Sequence, residues 1–205
     1  MIHFVRMIPP LGEYRYEIRG RGEIAAIEET RLDPERLSGS RISDRGGNRY
    51  EVEARLAPDG YVQALEVRYR RGPFERNARY QAEGEVLRGI VGALAARNPA
   101  EAKLGRLREV DAELVLFKAL IIAHIRARGQ TGFTGRVVTI DPNTLIAASL
   151  KQTYRQRDAA GVEWIFEPSM GEAEEIVLDD KGRIARRTDR RGVETVLVQF
   201  RPLCE

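Results

Sequence analysis

Apolar and polar residues alternate along most of this chain, and the alternation fails in one stretch. Over residues 111–129, DAELVLFKALIIAHIRARG, the apolar side chains fall on nearly every side of a helical wheel instead of along one stripe. Such a helix has no face suited to water, so the rest of the chain must enclose it. Asp111 and Glu113 at its start, Arg126 and Arg128 at its end, and Gly129 beyond match the charge and stop signals of a helix, predicting one over 111–128.

Elsewhere the period is two. Tyr14, Tyr16 and Ile18 alternate with Arg15, Glu17 and Arg19, and Tyr50, Val52, Ala54 and Leu56 alternate with Glu51, Glu53 and Arg55. Asp33-Pro34, Gly46-Gly47-Asn48, Ala57-Pro58-Asp59-Gly60 and Gly72-Pro73 supply turns between these runs. After the helix, further strands are predicted over 135–140, 144–155, 162–167, 174–178, 182–188 and 193–200. The sum is a mainly β fold. An antiparallel meander, interrupted once by the apolar helix, forms a strongly curved sheet or incomplete barrel around it, in a single domain over 1–205. Asn98-Pro99-Ala100-Glu101 has the form of a helix start, leaving 99–110 open between a helix and a short strand at 104–109.

Two likenesses across the helix suggest an internal duplication. Leu32-Asp33-Pro34 with Leu37 matches Ile140-Asp141-Pro142 with Leu145, and Arg70-Arg71-Gly72 matches Arg190-Arg191-Gly192. Half-repeats of about 13–95 and 130–201 would then clasp the helix from two sides. These Asp-Pro-x-x-Leu turns, set in a strand meander, resemble those of bacterial β-rich families described as half-barrels or β-rolls, some labelled glycolipid- or lipoprotein-binding. The resemblance implies a curved sheet with an apolar cavity.

Composition narrows the function classes. Charged residues make up 32% of the chain, but 34 basic against 31 acidic side chains leave a net charge of only +3. A surface so nearly balanced makes nucleic acid an unlikely partner. The single cysteine, Cys204, excludes an internal disulfide and a thiolate metal site. With only His3 and His124, no multi-histidine metal site or His-based triad is available, and no cofactor is expected. The start of the chain lacks the apolar stretch of a signal peptide, and the run 114–125 is too short and too polar to span a bilayer, so cytoplasm is the expected location.

The first choice of function is non-catalytic binding of a small apolar or lipid-like ligand between sheet and helix, by Phe117, Ile121, His124, Tyr50 and Trp164. His124 is read as a core histidine, and Lys118 as a side chain whose stem covers apolar surface while its amine reaches water. The alternative rests on Glu51-x-Glu53-x-Arg55, whose spacing projects all three side chains from one face of a strand. This pattern resembles the Glu-x-Glu-x-Lys/Arg strand of triphosphate tunnel enzymes. That resemblance implies a metal-dependent phosphohydrolase, with Arg68 and Arg70 on the next strand and Arg155, Arg183 and Arg187 as basic partners. A solvated sheet face produces the same alternation. A third reading is a protein-interaction scaffold, and a homodimer is compatible with any of the three.

Overall fold

A computed structural model describes residues 8–43, 47–93 and 96–203; His3, Gly46 and Cys204 fall outside the described residues. The first eight strands are β1 (Gly12–Gly20), β2 (Glu23–Leu32), β3 (Arg36–Ser43), β4 (Arg49–Leu56), β5 (Val62–Arg71), β6 (Phe74–Glu83), β7 (Val86–Ala93) and β8 (Ala96–Lys103). A two-residue strand, β9 (Val110–Asp111), leads into the helix α1 (Val115–Ala127). The chain then returns through β10 (Gly132–Ile140), β11 (Ala147–Gln156), β12 (Glu163–Pro168), β13 (Glu174–Leu178), β14 (Ile184–Asp189) and β15 (Glu194–Pro202).

All fifteen strands of the described residues belong to one sheet, in the order β8-β7-β6-β5-β4-β3-β2-β1-β15-β14-β13-β12-β11-β10-β9. Pairing of β1 with β15 joins the first part of the chain to the last, and β8 and β9 are left as the two edges. Every pairing is antiparallel except that of β9 with β10. The sheet bends because register shifts interrupt the ladders within β1, β4 and β13, and each such irregularity increases local twist. It curls until β8 comes near β11 without pairing to it. Across that opening, Tyr80 Oη donates to the Leu145 carbonyl at 2.7 Å and accepts from the Ala147 N–H at 3.0 Å, while Arg76 reaches the Asn143 carbonyl at 2.8 Å.

The helix occupies the inside of this curl. Every residue from Val115 to Ile125 is buried, and the inward-facing residues of the strands, among them Tyr16, Leu37, Val67, Leu87, Tyr154 and Ile176, form one apolar core with it. The predicted curved sheet around a central helix is therefore the observed architecture. Gly39 shows how tightly the two fit: a Cβ there would stand 2.5 Å from Thr30 Cγ2 and 3.0 Å from Leu114 Cδ1.

Two local expectations are corrected. Residues 96–103 form the edge strand β8, not a helix start; Pro99 is tolerated because an edge strand has one unpaired side. The helix begins at Val115, four residues later than predicted, because Asp111 pairs in β9 and Glu113 has φ of +66°, outside the helical region. No acidic residue lies in its first turn.

Candidate functional site

The residues predicted to line an apolar cavity are brought together, but in a packed core. Phe117, Ile121, Tyr50 and Trp164 are all at most 5% exposed and belong to the same cluster of contacting side chains. Tyr50 Oη donates to the Ala112 carbonyl at 3.1 Å, and the Trp164 ring N–H donates to the Gly161 carbonyl at 3.0 Å, so both polar tips are satisfied within the protein. Where the helix meets a void, at Leu120 beside Leu32 and Leu56, the space is about 10 Å³, roughly what one water needs. Among the described residues, these side chains of sheet and helix pack against one another in the core.

The interior is nonetheless more highly charged than the periodicity implies. At the start of α1, Glu28 on β2 accepts the Val115 N–H at 2.7 Å and pairs with Arg41 on β3 at 2.8 Å. Arg41 also donates to the Glu113 carbonyl. Lys118, expected to reach water, is buried and pairs with Asp111 at 2.7 Å, its ammonium lying 4.7 Å from the centre of the Phe166 ring. Burial opposes the Lys118 charge, but Asp111, with Glu113 and Glu174, outweighs it and holds the pKa above the ordinary lysine value. Burial pushes the Glu113 carboxyl up, against the pull of Lys118. These charges compensate one another and cap the helix, which is a structural role.

At the other end of α1, His124 Nδ1 is hydrogen-bonded to Glu109 Oε1 at 2.8 Å, both side chains being buried. Burial raises the Glu109 pKa, and the bond to His124 opposes that rise. The Tyr61 ring lies 4.5 Å from the imidazole and accepts a 2.6 Å hydrogen bond from Arg128 at its hydroxyl. The turn before Tyr61 is pressed onto the ring: a Cβ on Gly60, where φ is +87°, would come 2.9 Å from Nε2. His124 is therefore a buried histidine held at Nδ1, whose Nε2 makes no hydrogen bond among the described residues.

A depression lies on the opposite, outer face of the sheet. It has a volume of about 590 Å³ and crosses six adjacent strands, β15, β1, β2, β3, β4 and β5. Its centre is β3, where Ser38 and Ser40 face outward around Gly39 and leave the surface low between taller neighbours. Strand register sets the remaining side chains in two rows. One runs Arg201, Glu13, Arg31, Ser38, Glu53, Glu66; the other runs Gln199, Arg15, Glu29, Ser40, Glu51, Arg68. Several charges are already paired, Arg15 with Glu29 at 2.9 Å, Arg31 with Glu13 at 3.3 Å and Arg68 with Glu66 at 2.6 Å. The Arg68 hydrogen bond holds the Glu66 carboxyl below its ordinary value, against the opposing effect of burial.

Glu51, Glu53 and Arg55 do share one face, as their spacing requires, but it is this outer face and not the inside of a tunnel. Glu51 and Glu53 bind Arg49 at 2.7 Å and Arg36 at 2.8 Å. Of the proposed basic partners, Arg68 joins them in the groove, whereas Arg70 pairs with Glu75, Arg155 with Glu167, Arg183 with Asp179 and Arg187 with Glu174. Among the described residues, no three acidic, histidine or cysteine side chains are grouped so as to hold a metal ion. An enclosed grip on a triphosphate is therefore not assembled by these residues.

No family model and no curated protein matches the chain. Among solved structures, it is similar to the crystal structure of a DUF1089 family protein from Pseudomonas aeruginosa, with a TM-score of 0.56 over 80% of this chain and 90% of that one. At 19% identity, the likeness shows the fold alone. No helix among the described residues is long and apolar enough to cross a membrane.

The groove residues were visible in the sequence only as the polar half of each alternation. Ser38 and Ser40 carried no signal of their own, since serine on an exposed strand position is unremarked until its neighbours are known to be longer. Glu28 was hidden among the charges of Glu28-Glu29, where period two allows only one of the pair to face inward.

Proposed function

We propose that the protein is a non-catalytic binding module, and that its ligand is a small hydrophilic molecule or polar headgroup held in the outer groove. The observation that carries this reading is the serine-floored depression of about 590 Å³, which lies within the usual size range of small-molecule sites. Its rim of carboxylates and guanidinium groups offers acceptors and planar donors side by side. The exposed ion pairs there are individually weak, so a ligand can exchange with them at small cost. The half-barrel families that the Asp-Pro-x-x-Leu turns resemble, some of them labelled glycolipid- or lipoprotein-binding, agree with a binding role. A lipid-like ligand would meet the groove through its polar head, because the groove is lined mainly by charged and polar side chains.

Ser40→Trp places a bulky ring in the groove without touching the core. Backbone amide shifts recorded during titration with a panel of neutral disaccharides, phosphoesters and amino alcohols should move for Gly39, Glu51 and Arg68 in the native protein and stay still in the variant. If every compound leaves those signals unmoved, or if Ser40→Trp binds as well as the native chain, the groove is not the site.

A further inference from the structure

His124 carries a nitrogen that the fold buries and leaves without a partner. Glu109 holds Nδ1 from the segment just before β9, and Nε2 makes no hydrogen bond among the described residues. An apolar side chain would fill the same space without that penalty, so packing alone does not account for an imidazole here. What covers the nitrogen is thin. The turn from Ala57 to Tyr61 is closed by two backbone hydrogen bonds, Gly60 N–H to the Ala57 carbonyl and Ala57 N–H to the Tyr61 carbonyl, each 2.8 Å long. Gly60 stands over Nε2, the Tyr61 ring lies against the imidazole, and Arg128 latches the Tyr61 hydroxyl. Pro58 and Asp59 on the same turn are exposed, so solvent begins immediately beyond it.

We propose that this turn is a proton-operated lid, closed while the Glu109–His124 pair holds one proton and lifted when the pair takes up a second. The first proton bridges Nδ1 and Oε1. The next ring position is Nε2, and a proton there becomes a buried donor facing Gly60, with no acceptor among the described residues. The surrounding charges do not remedy this. Glu109 and Asp59 favour the added positive charge, Arg108 and Arg128 oppose it, and the Tyr61 face attracts it, but none of them accepts a hydrogen bond at Nε2. Lifting the turn lets water accept that bond, while Glu109, which is not part of the turn, keeps Nδ1. The open form therefore accommodates the second proton and the closed form does not, so acid drives the opening by linkage. Gly60 also roofs the small space beside Leu32, Leu56 and Leu120, and the lifted turn uncovers this end of the apolar core.

The test follows the full chain by NMR from about pH 8 to about pH 5, the range in which imidazoles titrate. The His124 ring nitrogens report the proton, and exchange of the Gly60 amide, corrected for the intrinsic pH dependence of exchange, reports the lid. Protection of the Gly60 amide should fall about tenfold or more with the same midpoint as the ring, while β1 and β15 keep theirs. His124→Leu should make Gly60 protection independent of pH. Tyr61→Phe, which removes the Arg128 latch and leaves the imidazole in place, should raise opening at every pH and move the midpoint upward. A ring that titrates beneath an unchanged Gly60 amide, a ring that does not titrate in this range, or opening that persists in His124→Leu overturns the proposal. Should His124→Leu not fold, the Tyr61→Phe midpoint decides, since a midpoint left where it is in the native chain means that the turn is not the lid.

Discussion

Glu28 Oε1 accepts the N–H of Val115 at 2.7 Å, joining residues 87 positions apart. A strand carboxylate thereby caps the central helix at the point where the helix's own sequence offers Leu114, which makes no side-chain cap. The other Glu28 oxygen holds Arg41, so removing the carboxylate leaves a helix N–H without its partner and the guanidinium with only the Glu113 carbonyl. Glu28→Ala should cost about 3–5 kcal/mol of unfolding free energy by urea denaturation, the range for breaking a buried ion pair. A loss below about 1 kcal/mol would show that water replaces the carboxylate.

Lys118 and Asp111 form a second buried pair, and the two single substitutions should not be additive. Lys118→Met leaves Asp111 charged in an apolar interior and is expected to destabilise by several kcal/mol. The double variant Lys118→Met, Asp111→Asn should recover part of that loss, because neither charge then remains uncompensated. Additive losses in chemical denaturation would mean that the pair contributes nothing as a pair.

Tyr80, on β6, ties the turn between β10 and β11 to the other side of the opening with one hydroxyl that serves two backbone groups. Tyr80→Phe keeps the ring and removes only that link, leaving the Leu145 carbonyl and Ala147 N–H unpaired. The expected cost is about 1–3 kcal/mol. Hydrogen exchange should quicken at Ala147 and along β8 and β11, whose approach the link supports, while β1 and β15 remain protected.

Glu113 gives stability a pH dependence of definite sign. Its folded-state pKa is raised above the ordinary value of 4.5, so the folded protein holds this proton more tightly than the unfolded chain does. The corresponding stability is complete below about pH 4.5 and is lost as pH rises through the folded-state pKa. Glu113→Gln removes the titration, so its stability relative to the native chain should improve as pH rises above about 4.5. Glu109, raised in the same direction, continues to titrate in the variant, so only the difference between the two curves is diagnostic. A difference that does not change with pH would contradict the assignment.

The sequence by itself determined the class of fold. Period-two alternation from Tyr14 onward depends on each residue and its immediate neighbours, and an all-round apolar segment must be enclosed whatever encloses it, so both could be read without coordinates. The end of the helix was legible for the same reason, since Gly129 adopts φ of +68° just beyond it. Its start was not, because the acidic residues that imitate a helix beginning at Asp111 are in fact partners for Lys118 and a strained turn, while the true cap arrives from β2. Only the tertiary structure decided that Glu28 points inward and Glu29 outward, that Lys118 finds a buried carboxylate, and that Ser38 lies between Arg31 and Glu53. Those relationships depend on strand register and on the order in which strands close, and pairings such as Glu13 with Arg201 join parts of the chain between which no local pattern carries information.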